Sequence, residues 1–300
     1  LMKRDTLCIP CTVRAAYDIA VRATDKIELR EKALGEVLEW LSRNQSNSNL
    51  TPNLLHTNAF RIVTRVTGNR DPFRTLKRES NKLALNLTPI LREEFEKRES
   101  TEGFRFIVLA TICGNAIDFE VEGYEVTLDN LASQLKTCLS RSSLNIDDTD
   151  KLLDLLPKIE KILYLLDNSG EIVFDKFFME IITERYPVKI YAAVKSGPVL
   201  NDATLEDVEQ VKLSEVAEII TTGSDSVGIV LEECSKEFLQ KLKEVDLIIA
   251  KGQGNYESIT EIEYIINKPI TYILKAKCKV VAEHLKTPKD SHIVKLAKPT

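Results

Sequence analysis

After Pro157 the chain alternates between two patterns. Short apolar runs at 161–166, 188–194, 217–222, 246–250 and 271–274 read as strands. Helical patterns stand between them at 174–186, from Leu205 onward, and over one long stretch at 229–245. Parallel strands need crossover connections, and helices in those crossovers must cover both faces of the sheet. The expected class is therefore α/β, a three-layer, doubly wound and mainly parallel sheet. Before Pro157 apolar residues recur at helical spacing, as in Leu29, Ala33, Leu34, Val37, Leu38 and Leu41. Thr51-Pro52 and Asp71-Pro72 each supply a cap and a first-turn proline. Residues 121–126 suggest a small hairpin around Gly123. This reading divides the chain into a mainly helical N-terminal domain at 1–156, contributing to a cleft, and a Rossmann-like α/β domain at 157–300.

Open parallel sheets bind ligands outside the carboxyl ends of their strands. The first four strands are followed by Asp167-Asn168-Ser169-Gly170-Glu171, Lys195-Ser196-Gly197-Pro198-Val199-Leu200-Asn201-Asp202, Gly223-Ser224-Asp225-Ser226 and Lys251-Gly252-Gln253-Gly254-Asn255-Tyr256-Glu257. All four loops carry glycine with small or charged residues, and the topology puts them on one edge. Asp167, Asn168 and Asp202 offer oxygen donors suited to Mg²⁺ or Mn²⁺. Lys251 offers positive charge to phosphate oxygens, and glycine-loop amides offer directed donors. The bland alternative is that Asp-Asn at a strand end is a turn or helix cap.

Other chemistries fit less well. Gly252-x-Gly254 has Glu257 where a dinucleotide fingerprint needs its third glycine, and no phosphate-binding loop of the ATPase type is present. An aspartyl-phosphatase would place a second Asp where Ser169 stands. His56, His284 and His292 are too dispersed for a zinc hydrolase and read as surface or cap residues. Gly114-Asn115 with Asp118 reads either as a helix C-cap or as polar groups aimed into the cleft.

The formal net charge of −5 argues against a general nucleic-acid surface. No apolar run approaches a membrane span, so a soluble cytoplasmic protein is expected. The six cysteines are scattered and do not resemble a disulfide framework. Cys8-x-x-Cys11, before a helix, reads as a redox pair, half of a zinc site with Cys278 as a third ligand, or a reduced structural pair.

In combination these motifs resemble the damage-control phosphatase family, metal-dependent phosphatases once grouped as a domain of unknown function. The similarity is greatest to its microbial subfamily with an N-terminal Cys-x-x-Cys. It runs nearly end to end, through Cys8-x-x-Cys11, Thr67-Gly68-Asn69-x-Asp71-Pro72, Gly114-Asn115-x-Ile117-Asp118, Asp167-Asn168-x-Gly170-Glu171, Gly197-Pro198-x-x-Asn201-Asp202, Lys251-Gly252-Gln253-Gly254-Asn255 and Lys277-Cys278. The resemblance implies a helical domain packed on the α/β domain and metal ligands at Asp167, Asn168 and Asp202. It also implies a phosphate-contacting Lys251 with Asn255 beside it. The expected metal is Mn²⁺, Mg²⁺, Co²⁺ or Ni²⁺, and the expected substrates are sugar phosphates or damaged phosphometabolites.

The expected catalytic residues are Asp167, Asp202 and Lys251. Ser169, Gly170, Glu171, Ser196, Lys251, Gly252, Asn255, Asn115 and Asp118 are the expected substrate contacts, with Asn69 and Lys77 nearby. The partner is then a small phosphate ester, with no nucleic acid and no membrane; homo-oligomerisation is left open. Alternatives are an S-adenosylmethionine-dependent carboxyl methyltransferase and a non-catalytic metabolite-binding protein.

Overall fold

The computed structural model describes residues 2, 4–44, 47, 50–114, 128–141 and 143–298. Six helices come first: α1 (Cys8–Ala23), α2 (Ile27–Asn44), α3 (Pro52–Thr67), α4 (Arg74–Glu96), α5 (Ser100–Gly114) and α6 (Leu128–Arg141). Pro52 occupies the first turn of α3, and Gly68 ends that helix at φ +74°, a left-handed conformation that favours glycine. The hairpin expected at 121–126 lies outside the described residues, as do Asn115 and Asp118.

Seven strands follow: β1 (Leu144–Asp147), β2 (Lys161–Leu165), β3 (Lys189–Val194), β4 (Glu218–Thr221), β5 (Leu247–Lys251), β6 (Ile270–Lys275) and β7 (His292–Ala297). They form one sheet in the order β1-β7-β6-β5-β2-β3-β4. Only the β6–β7 pair is antiparallel. The doubly wound, mainly parallel sheet is as expected, but β1 and β7 are additions. Thr271–Leu274 therefore does not close the set.

The intervening helices are α7 (Thr149–Leu155), α8 (Glu171–Arg185), α9 (Leu205–Val211), α10 (Lys236–Glu244), α11 (Gly252–Ile259), α12 (Glu263–Ile266) and α13 (Lys279–Leu285). The long helix expected at 229–245 is broken. A 3-10 turn covers Leu231–Glu233, and α10 starts afresh after Ser235, whose hydroxyl accepts from Phe238 N. The loop expected after the fourth strand is largely helix, because α11 begins at Gly252 directly after β5.

The helical half of the chain serves two cores. Helices α1–α3 build one of their own, around Ala16, Val37, Leu55, Phe60 and Val63. Helices α4–α6 join the sheet instead: Leu87, Leu91, Phe104 and Ile107 share a core with Ile162, Tyr164 and Ile249. The link between them is α8, apolar nearly all round and packed between the sheet and the pair α4 and α5. Gly114 marks the closest approach, since a Cβ there would lie 2.5 Å from the Phe174 ring. Cys113 and Cys138 are disulfide-bonded, joining α5 to α6. The sequence pattern carried no expectation of this bond. The other face of the sheet is closed by Phe238, Tyr256, Val281 and their neighbours. Among the described residues, no helix is long and apolar enough to cross a membrane.

Candidate active site at the strand switch point

The chain runs outward from β2 to β3 and β4, then returns to place β5 on the other side of β2. Leu165 pairs with Ala193 on one side and Ala250 on the other, so the ends of β2, β3 and β5 are level. The winding direction reverses here, the position at which open parallel sheets take ligands, with the Asp167 and Lys251 ends of β2 and β5 as its two lips.

The second loop folds back onto the first. Ala203 N donates to Asp167 O at 2.8 Å and Ser169 N to Asn201 O at 2.9 Å. An antiparallel bridge pairs Asn168 with Asp202. Backbone hydrogen bonds thus bring the Asp202 segment beside the neighbouring pair Asp167 and Asn168. Leu200, just before this bridge, is held at φ +47°. For a bulky residue that conformation costs on the order of 1–3 kcal/mol, a strain carried where the loop turns to present Asp202.

Gly252 forms the floor. Its φ is +77°, and a Cβ there would lie 1.9 Å from Asp167 Oδ2 and 2.1 Å from Asp167 Cγ. The Asp167 carboxylate therefore rests on a position that only glycine can supply. Asn168 Nδ2 donates to Asp167 Oδ2 at 2.9 Å, which orients both side chains.

Asp202 is buried. Burial pushes its carboxyl up to about 7; Asp167 adds to the rise, and Lys195, Lys77 and Lys277 oppose it. Lys195 Nζ stands 3.8 Å from Asp202 Oδ2 and donates to Gly228 O at 2.5 Å. Burial lowers the pKa of Lys195, and the two aspartates only partly offset that. Sequence reasoning passed over this lysine, although a cation closing the apolar run of β3 was a signal for it. Ser196, chosen instead, is exposed, and its hydroxyl accepts from Gly223 N at 2.7 Å.

Lys251 is fully buried and turned toward α8. Its Nζ lies 2.5 Å from Glu171 Oε1 and 2.7 Å from Asp175 Oδ1. Burial works to lower its pKa, but Asp175 and Glu171 outweigh that and hold the ammonium charged. Burial pushes Glu171 up to about 8 and raises Asp175 as well. The three titrate as a unit in which one carboxyl keeps a proton near neutral pH. Asp175 was not foreseen; an acid within the apolar first half of α8, one turn from Glu171, was the available sign.

This triad makes a direct prediction. Lys251→Ala leaves two buried carboxyls without their cation, which costs roughly 3–5 kcal/mol. Urea unfolding near pH 8 should show that loss, and a smaller one near pH 5, where both carboxyls take up protons. A variant equally destabilised at both values would rule out the ion-pair account.

Of the other expected site residues, Ser169, Gly170, Asn255 and Asn69 make hydrogen bonds within the protein, while Asn115 and Asp118 lie outside the described residues. Ser169 Oγ donates to Asp207 Oδ1 at 2.7 Å, and Gly170 N donates to Asn81 Oδ1 at 2.6 Å. Asn81 Nδ2 in turn donates to Asp207 Oδ1 at 2.8 Å. Asp207 also caps α9 with Thr204 and lies 3.5 Å from Lys77 Nζ. Helix α4 is thereby stitched to the Asp167 loop through one carboxylate, a link between residues more than a hundred positions apart that no local pattern could show. Asn255 Nδ2 donates to Leu166 O at 3.0 Å and Lys251 O at 2.8 Å, tying the two lips together. Asn69 Nδ2 donates to Ala23 O at 3.1 Å and its Oδ1 accepts from Asp71 N, so it shapes the turn after α3. The third loop docks α3: Arg61 bonds Asp225 and Glu233, and Arg61 holds Glu233 down to about 2.

Comparison with known proteins gives the family. Residues 5–293 match the model of the damage-control phosphatase ARMT1-like domain. A damage-control phosphatase of Pyrococcus horikoshii is 35% identical over 97% of this chain and 96% of its own. One from Archaeoglobus fulgidus is 33% identical over 95% and 96%. An uncharacterised protein of Methanocaldococcus jannaschii is 44% identical over 93% and 90%. Among solved structures, a DUF89 family protein from Pyrococcus horikoshii superposes with a TM-score of 0.88 at 33% identity, covering 98% of this chain and 99% of its own. With its sheet, its helical N-terminal region and its sequence all matching, the chain belongs to the damage-control phosphatase family.

Proposed function

We propose that this protein is a metal-dependent phosphatase acting on small phosphate monoesters, sugar phosphates or damaged phosphometabolites. Asp167, Asn168 and Asp202 would hold Mn²⁺, Mg²⁺, Co²⁺ or Ni²⁺. The observation that supports this reading is the backbone bridge between Asn168 and Asp202 at the strand switch point, with Asp167 set against Gly252.

The donor chemistry fits a hard divalent ion. Two carboxylates share the site, and Asp167 raises the pKa of Asp202. Such mutual repulsion is what a divalent cation relieves. When bound, the ion polarises the phosphoryl group and makes water a stronger nucleophile. The residues of the chain have separate tasks. Asp167 and Asp202 fix the charge and Asn168 supplies a neutral oxygen. The N-termini of α8 and α11 open at the same edge and present the positive ends of their dipoles to an anion. Lys251 holds Glu171, and through it the start of α8. No observation of this site favours methyl transfer or simple metabolite binding.

The test is phosphate release from a panel of sugar and nucleotide phosphates, with added Mn²⁺ or with EDTA. Release that depends on metal and returns on its re-addition is the expected result. S-adenosylmethionine binding without phosphate release would replace the assignment with the methyltransferase one.

A further inference from the structure

The seam between α1, α3 and the loop entering α13 gathers groups that phosphate chemistry does not use. Cys8 and Cys11 stand one turn apart at the start of α1, with Cys8 buried. Cys11 Sγ faces His56 Nε2 of α3 at 3.7 Å. Cys278 immediately precedes α13, and its sulfur accepts from Gln253 Nε2 at 3.4 Å and Val281 N at 3.5 Å. The same Gln253 amide donates to Glu257 Oε1 at 2.8 Å. Val280 packs against the core that contains Cys8, so the two ends of the chain meet here.

The electrostatics of the seam are consistent. Burial raises all three thiols and Glu257 adds to each; Cys278 raises Cys8 and Cys11 further, while hydrogen bonds from Val281, Val280 and Gln253 partly offset the rise at Cys278. Burial lowers His56, leaving a neutral imidazole. Thiols kept protonated in this way are slow in disulfide exchange, so redox work is the weaker use of the cluster. A thiophilic cation would reverse each penalty, because it deprotonates the thiols that bind it and takes imidazole in its neutral form.

The one donor separation already set fits such an ion. Zn–S of about 2.3 Å and Zn–N of about 2.0 Å in a tetrahedron give an S–N edge of roughly 3.6 Å. Among the described residues, no group of three or more His, Cys, Asp or Glu side chains is placed to hold a metal ion as it stands. Neutral thiols gain nothing by converging, so binding of a cation would have to draw the sulfurs together.

We propose that Cys8, Cys11, Cys278 and His56 form a second metal centre, a closed thiolate–imidazole site for a soft divalent d¹⁰ cation such as Zn²⁺. It ties the start of α1 to the loop that carries Lys277. With four protein ligands it would be structural rather than catalytic, and it is separate from the oxygen site.

Cobalt tests it directly. The reduced full chain is titrated with Co²⁺ without oxygen, and absorbance is followed. The expected result is an intense thiolate-to-cobalt band in the near ultraviolet, saturating at one equivalent and displaced by Zn²⁺. Cys11→Ser and Cys278→Ser, each checked for native circular dichroism, should lose or strongly weaken it. Asp202→Ala should keep it, because an oxygen site gives no such band; the outcome is therefore independent of the phosphatase assignment. No thiolate band while thiol titration finds Cys8, Cys11 and Cys278 free overturns the proposal. So does a band unchanged in both serine variants, or a disulfide joining any two of these cysteines.

Discussion

Asp202→Ala should abolish phosphate release while the protein stays folded. Residues that merely orient a metal ligand are worth roughly 10–100-fold, so removal of a proposed ligand should cost more than about 100-fold. The fold should survive because loss of the Asp202–Lys195 pair is offset in part by removal of a carboxyl that burial makes hard to ionise. Its pKa is raised in the folded state, so ionising it there is harder than in the unfolded chain. That penalty is absent below the unfolded value near 4 and grows as pH rises toward about 7. Lys195 keeps its bond to Gly228 O after the substitution. Phosphate release, Mn²⁺ titration and a thermal melt on one preparation decide the matter. A variant that is both active and metal-replete would end the assignment of Asp202 as a ligand.

Gly252→Ala should be nearly as damaging, although it removes no functional group. The added methyl would sit 1.9 Å from Asp167 Oδ2, and the residue would be held at φ +77°. The left-handed backbone alone costs roughly 1–2 kcal/mol. The larger effect is displacement of Asp167, which should lower Mn²⁺ affinity by at least roughly 10-fold, together with activity. Gly35→Ala in α2 is the control, since its new Cβ meets nothing within 4 Å. In a helix interior that change should stabilise by about 0.5–1 kcal/mol. Calorimetric titration of Mn²⁺ into both variants, beside unfolding curves, separates the two effects. Normal metal affinity in Gly252→Ala would show that Asp167 does not depend on this contact.

The parts of the fold that could be read in advance are those where local pattern and burial agree. β2, β3 and β5 are buried on both faces, so their apolar runs are continuous. β1 is a four-residue edge strand with every second residue exposed, and its short run carries no comparable signal. Similarly, the candidate donors Asp167, Asn168 and Asp202 stand out in the sequence because strand ends punctuated by glycine are local features. The partners of Lys251 were not, since Glu171 and Asp175 approach it only through the packing of α8. Asp207 was hidden more deeply: its meaning lies in Asn81 and Ser169, which the sequence keeps far from it.

Asp207 also bears on how separable the two halves are. One carboxylate takes hydrogen bonds from α4, from the loop after β2 and from the cap of α9. Leu87 and Phe104 of the helical half lie in the same core as the sheet. A fragment beginning at β1 would expose that core and lose the Asn81 carbonyl oxygen that accepts from Gly170 N. The α/β half is thus not a portable module that can be cut out or fused elsewhere with its chemistry intact. Insertions are better tolerated at the exposed start of α2, around Ile27, than anywhere between α4 and α9.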